Sequence, residues 1–390
     1  MLRFQTAGES HGQCLTAWVS GLPLGVPVEL DFINRELRRR QAGYGRGGRM
    51  KIERDQVQIL SGVRHGQTIG APITLQIENK DWAHWEDSLP VEDRPVVESK
   101  QRPVTRPRPG HADLAGALKF NLHDARTILE RASARETAAR VAAGALAKLF
   151  LRGFGLEVLS HTLAIGNVRL ERPVSWEEIV AACQETEAEI RCVDMELGQA
   201  MKKLIEHAIA ERDSLGGVFE VVAHNVPPGL GSHTHWDEKL DARLARAVMS
   251  IQAVKAVEIG SGVGNAAAFG SQVHDEIGYD AAARRFTRSS NHAGGLEGGI
   301  SNGEDVIVRG YLKPISTLRR PLKSVDLKTK KTQEAAYERS DVCVVPAAGV
   351  IGEAMVALVL AAAVREKFGG DTLEEARRNF QAYQQQLKDF

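Results

Sequence analysis

The 390 residues can bury a large core, in one big domain or two to three smaller ones. Charged residues make up 26% and apolar residues 43%, an ordinary soluble composition. Lys+Arg and Asp+Glu balance at 50 each, so no global field favours a nucleic acid or a membrane surface.

The charge is uneven locally. Residues 35–54 carry eight Lys/Arg against Glu36 and Glu53, and residues 99–112 carry four with no acid. Basic stretches near glycines in a neutral chain suit a compact anionic ligand. Cys14, Cys183, Cys192 and Cys343 are scattered without a C-x-x-C pair. Neither a metal site nor a disulfide framework is expected, and the usage fits a reducing cytosol. The first residues show no secretory or transit pattern. The longest apolar run, around Met355–Val364 between Glu353 and Arg365, is too short to span a bilayer. A cytoplasmic protein is expected.

From the N-terminus, Gly8 and Gly12 flank Ser10 and His11, a setting that lets backbone approach a ligand. A solvent-exposed histidine in a turn is the plain alternative. Leu15–Ser20 reads as a strand, Pro23 and Gly25 as a turn, and Asp31–Arg40 as a helix with Ile33 and Leu37 inward. Ala42–Arg49 offers glycine N–H groups, with Arg46 and Arg49 as forks for phosphate or carboxylate. It lacks the G-K-[ST] ending of a P-loop and is no dinucleotide fingerprint. A disordered loop and an RGG-like RNA tract are its other readings. Val57–Leu60 and Pro72–Ile77 read as strands around Gly62, Gly66 and Gly70. Residues 79–104 read as a surface insertion whose Trp82 and Trp85 need burial, for instance against another subunit. His84 is read as structural.

The stretch Arg106–Leu149 organises the chain. Pro107 and Pro109 exclude a regular helix, so His111 and Asp113 sit on a stiff loop beside Arg106 and Arg108. An apolar-rich connector follows. Ser133 and Glu136 match the S-x-x-E capping box and open a helix with the stripe Val141, Ala145, Leu149. A helix start framed by Arg131 and Arg135 suits an anion, so a phosphorylated ligand is expected.

Beyond it, Leu156–Val168 reads as extended, and Ser175–Glu178 as a second capping box. Met195–Arg212 reads as an amphipathic helix with Met201, Leu204, Ile205, Ala208 and Ile209 inward. Val218–Ala223 is a strand and Asp237–Val257 a helix, followed by glycine-rich loops at 260–264 and 291–303 and a strand at Asp305–Tyr311. Lys313–Thr317 places a charge and hydroxyls in a segment that Pro314 keeps non-helical. Arg339 and Asp341 suggest a site acid held by its neighbour, or a surface ion pair. Glu353–Phe368 and Thr372–Leu387 read as final helices.

Residues 12–77 and 217–310 share a plan of strand, turn, helix, glycine-rich stretch and strand. Ile33 and Leu37 correspond to Leu240 and Leu244, and Gly62, Gly66 and Gly70 to Gly295, Gly299 and Gly303. Two related units with helices between two sheets are expected.

Four blocks together resemble the chorismate synthase family over nearly the whole chain: Gly8–Gly12, Gly43–Arg49, Arg108–Asp113 with Glu130–Thr137, and Arg339–Asp341. The resemblance implies an α+β fold, a β–α–β sandwich with an internal duplication and helices between two antiparallel sheets. It implies one domain over residues 1–390 and a homotetramer. The implied reaction turns 5-enolpyruvylshikimate 3-phosphate into chorismate and phosphate by 1,4-anti elimination, the last step of the shikimate pathway. It needs reduced FMN without net redox change. No insert resembles a flavin reductase, which implies the monofunctional type and an external reductant.

By the same resemblance, Arg40, Arg46, Arg49, Arg108 and Arg135 clamp substrate, with Ser10 and Ser133 assisting. Arg131, Ala132, Ser133, Gln252, Ala253, Gly298, Lys313, Pro314, Ile315, Ser316, Thr317 and Arg339 hold FMN. His11 protonates the departing phosphate, His111 acts near the flavin ring, and Asp341 helps move the substrate C6 proton. NADPH at Arg40 and Arg46 ranks below substrate as their ligand. Two other classes remain, a phosphatase needing no reductant and an RNA-binding protein with steep salt dependence. Zero net charge and 5% aromatic residues argue against RNA.

Overall fold

Apolar alternation sets the face of the first sheet. The computed structural model describes residues 1–47, 54–95, 98–185, 188–338 and 341–390. Strands β1 (Arg3–Ala7), β2 (Cys14–Ser20), β3 (Val57–Ser61) and β4 (Ile73–Glu78) pair antiparallel in the order β1-β2-β4-β3. Leu15, Ala17 and Val19 lie opposite Ile77, Leu75 and Ile73, and all six are buried. The side-chain period of two turns Thr16 and Trp18 to the other face. Helix α1 (Leu30–Gln41) buries Ile33 and Leu37.

The middle of the chain is helical: α2 (Asp113–Phe120), α3 (Arg126–Ala132) and α4 (Thr137–Arg152). The second sheet follows, from β5 (Glu157–Ile165), β6 (Val168–Arg169), β7 (Gly217–His224), β8 (Val254–Ile259) and β9 (Val306–Leu312), antiparallel in the order β8-β9-β7-β5-β6. Helices α5 (Trp176–Cys183) and α6 (Met195–Ala210) lie between β6 and β7 in the chain, and α7 (Leu240–Met249) between β7 and β8. The last two are α8 (Val345–Phe368) and α9 (Leu373–Asp389).

Helix α4 packs on β2 and β4, helix α8 packs on β5 and β7, and the two helices pack on each other. The sandwich is therefore sheet, helices, sheet. A helix in that position is largely apolar on every side, and both bury most of their residues. Gly144 permits the crossing, because a Cβ there would collide with Ala354. Among the described residues, α8 is long and apolar enough to cross a membrane, but 94% of its apolar window is buried inside the fold.

One charged group interrupts the buried apolar stretch of α8. Glu353 is 0% exposed. Both Arg39 guanidinium ends donate to it at 2.7 Å, Ser160 donates at 2.6 Å, and Lys148 donates as well. Glu36 completes a quartet with Arg39 at 2.8 Å and Lys148 at 2.5 Å. Two cations and two anions satisfy one another, the condition for burying charge.

Several expectations are corrected. Glu353 does not bound the apolar run: the helix begins eight residues earlier at Val345, with Pro346 in its first turn. The connector after Asp113 is helical, as α2 and α3. The helix expected over Asp237–Val257 stops at Met249. Ala253 has φ +69°, and Val254–Ile259 pairs with β9 instead. The capping box at Ser175 forms in full. The one at Ser133 does not, because the Glu136 carboxylate is taken by Thr6, Arg140 and Gln252. Ser133 caps a short 3-10 turn by accepting from the Arg135 N–H at 3.3 Å. Trp85 is buried within its own chain, with 6% exposure.

Candidate active site

His11 lies on the turn between β1 and β2. The Glu130 carboxylate, on α3, accepts from the His11 backbone N–H at 2.8 Å and lies 2.9 Å from ring Nδ1. The Trp85 ring stacks on the imidazole with centroids 3.9 Å apart and planes at 23°. Burial alone would raise the Glu130 carboxyl. The His11 ring and N–H, with Arg126, outweigh it and hold it below the usual carboxylate range. The Ser10 N–H donates to the Glu130 carbonyl at 2.9 Å.

Asn79 joins this turn to a buried arginine pair. Its amide donates to the Glu9 and Gly12 carbonyls at 3.1 and 2.7 Å and accepts from Arg135 Nε at 2.9 Å. Arg135 continues to Asp55 at 2.7 Å, and Arg40 reaches the same carboxylate at 3.3 Å. Arg40 also donates to Thr137 and to the Ala134 carbonyl. Burial lowers the Arg40 guanidinium to about 10; Asp55 opposes this, and repulsion from Arg135 and Arg46 adds to it. Arg46 is 3.3 Å from Asp341, whose other oxygen accepts from the Gly47 N–H at 2.5 Å. Three guanidiniums against Asp55 and Asp341 leave this cluster cationic. Arg49 and Arg339 lie outside the described residues.

The proline-stiffened loop carries the second histidine. His111 Nδ1 is 2.5 Å from Asp113 Oδ1, which implies that the ring donates there. Arg108 donates to the same carboxylate at 2.8 and 3.1 Å and to Thr317 at 2.8 Å. Burial would raise Asp113. The His111 and Arg108 hydrogen bonds overturn that and hold it far below the carboxylate range. Arg106, expected beside these groups, is exposed. Its carbonyl accepts from the Ala336 N–H at 3.0 Å, which anchors the loop.

The remaining candidates form an adjoining wall. Lys313 donates from Nζ to the Gly110 carbonyl and from its backbone to the Ala253 carbonyl. Ser214 ties the Ile315 carbonyl at 2.8 Å. Gln252 Nε2 reaches Glu136 at 3.2 Å. Arg131, at the end of α3 beside Ala132 and Ser133, reaches the Gly8 and Thr6 carbonyls at 3.0 and 2.8 Å. Pro314 and Ser316 lie within the Lys313–Thr317 segment. Gly298 stands apart, in the turn of the hairpin formed by Leu296–Glu297 and Ile300–Ser301. Its open Cβ position and φ of +62° leave room above that turn.

Comparisons with known proteins agree across the chain. The sequence profile described as Chorismate synthase matches residues 2–364. A chorismate synthase of Solibacter usitatus is 62% identical over 390 residues, covering 100% of both chains. That of Geobacter sulfurreducens is 54% identical, again covering 100% of each. The chain belongs to the chorismate synthase family. A crystal structure of a chorismate synthase superposes with a TM-score of 0.80 at 43% identity, covering 100% of this chain and 99% of that one. The α+β sandwich is thus the chorismate synthase fold.

Within that fold, the described sequence candidates gather into one network, Gly298 excepted. Sequence reasoning passed over Glu130, Asp55 and Trp85 as site groups and gave Asp113 no role beyond its place beside His111. Glu130 lay inside a quoted motif, but nothing local says that it faces His11. Trp85 sits 74 residues from His11, so the stack has no sequence signal.

Proposed function

We propose that this chain converts 5-enolpyruvylshikimate 3-phosphate to chorismate and phosphate by 1,4-anti elimination, using reduced FMN. The carrying observation is the continuous path from His11 through Asn79 to Arg135, Asp55 and Arg40, a proton donor beside a cationic cluster. The substrate has a phosphate and two carboxylates, and Arg forks match both. Arg40, Arg46 and Arg135 hold it, with Arg49, Arg108, Ser10 and Ser133 completing the clamp. His11 Nε2 passes a proton to the phosphate oxygen as the C3–O bond breaks, which improves the leaving group. Asp341, held by the Gly47 N–H and by Arg46, helps move the C6 proton in this reading.

The residues around Gln252 fit FMN. Gln252 Oε1 is buried with no hydrogen-bond partner among the described residues, an acceptor suited to a flavin imide N–H. Lys313, Arg131 and the Thr317 hydroxyl supply a phosphate and polyol with donors, and Ala253, Gly298 and Arg339 extend that wall. When bound, reduced FMN supplies transient electron density to the substrate. His111, fixed by Asp113, sets the charge beside that wall. An external reductant and a cytoplasmic setting go with this reading. So does a homotetramer, for which the exposed Leu118, Phe120 and Phe269 offer apolar surface.

The internal duplication is part of the proposal. Order β3-β4-β2-β1 in one sheet and β8-β9-β7-β5 in the other have the same connectivity. Gly62, Gly66, Gly70, Gly295, Gly299 and Gly303 all adopt positive φ. Both observations support residues 12–77 and 217–310 as copies of one unit.

The test of the reaction is stoichiometry under reduced FMN. Equal chorismate and phosphate are expected; phosphate without chorismate would make the chain a phosphatase.

A further inference from the structure

Every short bond that the described residues make to the Glu130 carboxylate comes from His11. Oε2 takes the backbone N–H at 2.8 Å, and Oε1 faces ring Nδ1 at 2.9 Å. Arg126, one turn away on the same helix, is only at 3.4 Å. Its stronger bonds go to the Arg102 carbonyl at 2.7 Å and to Glu338 at 2.9 Å. Glu130 is therefore not chiefly the partner of an arginine. A carboxylate that grips both the backbone and the ring of one residue fixes the ring's rotation. Its side chain is 3% exposed, so water competes little for it. The imidazole face is fixed separately, by Trp85, over whose ring the Arg102 and Arg126 guanidiniums lie at 4.0 and 5.1 Å.

We propose that Glu130 is a positioning residue for His11, with Trp85 as the second wall of the same socket. The proposal rests on the reading of His11 as proton donor to the leaving phosphate. Nδ1–H donates to Glu130 throughout. The proton that moves is on Nε2, passing to the phosphate oxygen as the C3–O electron pair leaves with phosphate. Glu130 neither gains nor loses a proton. It stabilises the imidazolium before transfer and holds the Nδ1–H tautomer afterwards, the role a buried acid plays behind a catalytic histidine. The insertion at 79–104 thereby acquires a function, since it delivers Trp85 to the site. The charged groups facing the pair are Arg126 on α3, Arg102 across Trp85, and Glu338 beyond Arg126.

The test is Glu130→Gln, which keeps the shape and an acceptor but removes the charge. With reduced FMN, kcat should fall about 10²–10⁴-fold, the size of effect seen when the acid behind a catalytic histidine is neutralised, while KM stays near wild type. The alkaline limb of the kcat profile should move to lower pH, because the imidazolium then has an acceptor but no countercharge. Trp85→Leu should lower kcat without moving that limb. Wild-type kcat and an unmoved limb in Glu130→Gln would overturn the proposal.

A second measurement needs neither turnover nor a folded variant at position 130. In wild-type protein with 15N-labelled histidine, brought to a pH at which the ring is neutral, the signal absent from His11→Ala should show the proton on Nδ1. A neutral ring protonated on Nε2 alone would overturn the proposal. Wild-type protein that makes no chorismate, yet shows the Nδ1–H ring, would refute the reaction reading and leave the socket standing.

Discussion

Replacing Glu353 by Gln should destabilise the fold by about 3–5 kcal/mol, the cost of breaking a buried ion pair from one side. The structure dictates the size. The change leaves Arg39 and Lys148 buried against Glu36 alone, so one positive charge in the helical layer has no counterion. Two Arg39 bonds at 2.7 Å and the Ser160 bond at 2.6 Å are weakened with it. Unfolding entropy of about 2.1 cal/mol/K per residue gives roughly 0.8 kcal/mol per degree for a chain of this length. The expected fall in Tm is therefore about 4–6 °C. Differential scanning calorimetry reads it directly. The double variant Glu353→Gln with Lys148→Met restores charge balance and should recover much of the loss, a coupling the cycle measures. The same helix α1 carries Arg39 into this layer and Arg40 into the site, so the single variant should also raise KM for substrate. A Tm shift below about 1 °C, or strictly additive effects in the cycle, would refute the reasoning.

Other consequences follow from the same geometry. Burial raises Glu36, but Lys148 and Arg39 outweigh it and lower it from 4.5 to about 2. Its folded value lies below its unfolded one, so the stabilisation is present above pH 4.5 and is lost as pH falls toward 2. Urea titrations through that window should show Glu36→Gln losing the acid-side slope; parallel decline with wild type would count against it. His11→Ala and His111→Ala should fold normally and lose about 10²–10⁴-fold in turnover, and near-wild-type rates would remove that residue from the mechanism. Asp341→Asn should still bind FMN but turn over slowly; loss of flavin with intact catalysis at saturation would make its role binding alone. Ser133→Ala should cost about 1 kcal/mol through the lost cap, and intact turnover would assign the side chain to structure rather than substrate.

What was legible in the chain was local. Leu15, Ala17 and Val19 announce their strand by alternation, and Ser175 with Glu178 announces a helix start that forms as written. The proline loop placed His111 beside Arg108 and Asp113 because all three lie within six residues. Prediction failed where distant groups compete. Glu136 fits a capping box by spacing, yet Thr6, Arg140 and Gln252 claim its carboxylate. The periodic face from Leu240 to Ile251 runs past the true helix end, because pairing with β9 wins the residues after Ala253. Glu353 looked like a helix boundary, since it takes partners from α1, α4 and β5 to make an acid tolerable inside α8. The Glu130–His11–Trp85 socket draws on three segments, which no window of sequence contains.

The central claim is that elimination depends on reduced flavin without consuming it. The deciding measurement is an anaerobic assay of purified protein with 5-enolpyruvylshikimate 3-phosphate and either oxidised or reduced FMN, following chorismate and flavin absorbance together. Chorismate formed over many turnovers only with reduced FMN, with the flavin still reduced at the end, is the predicted result. Equal product with oxidised FMN, or one flavin oxidised per product, would contradict it.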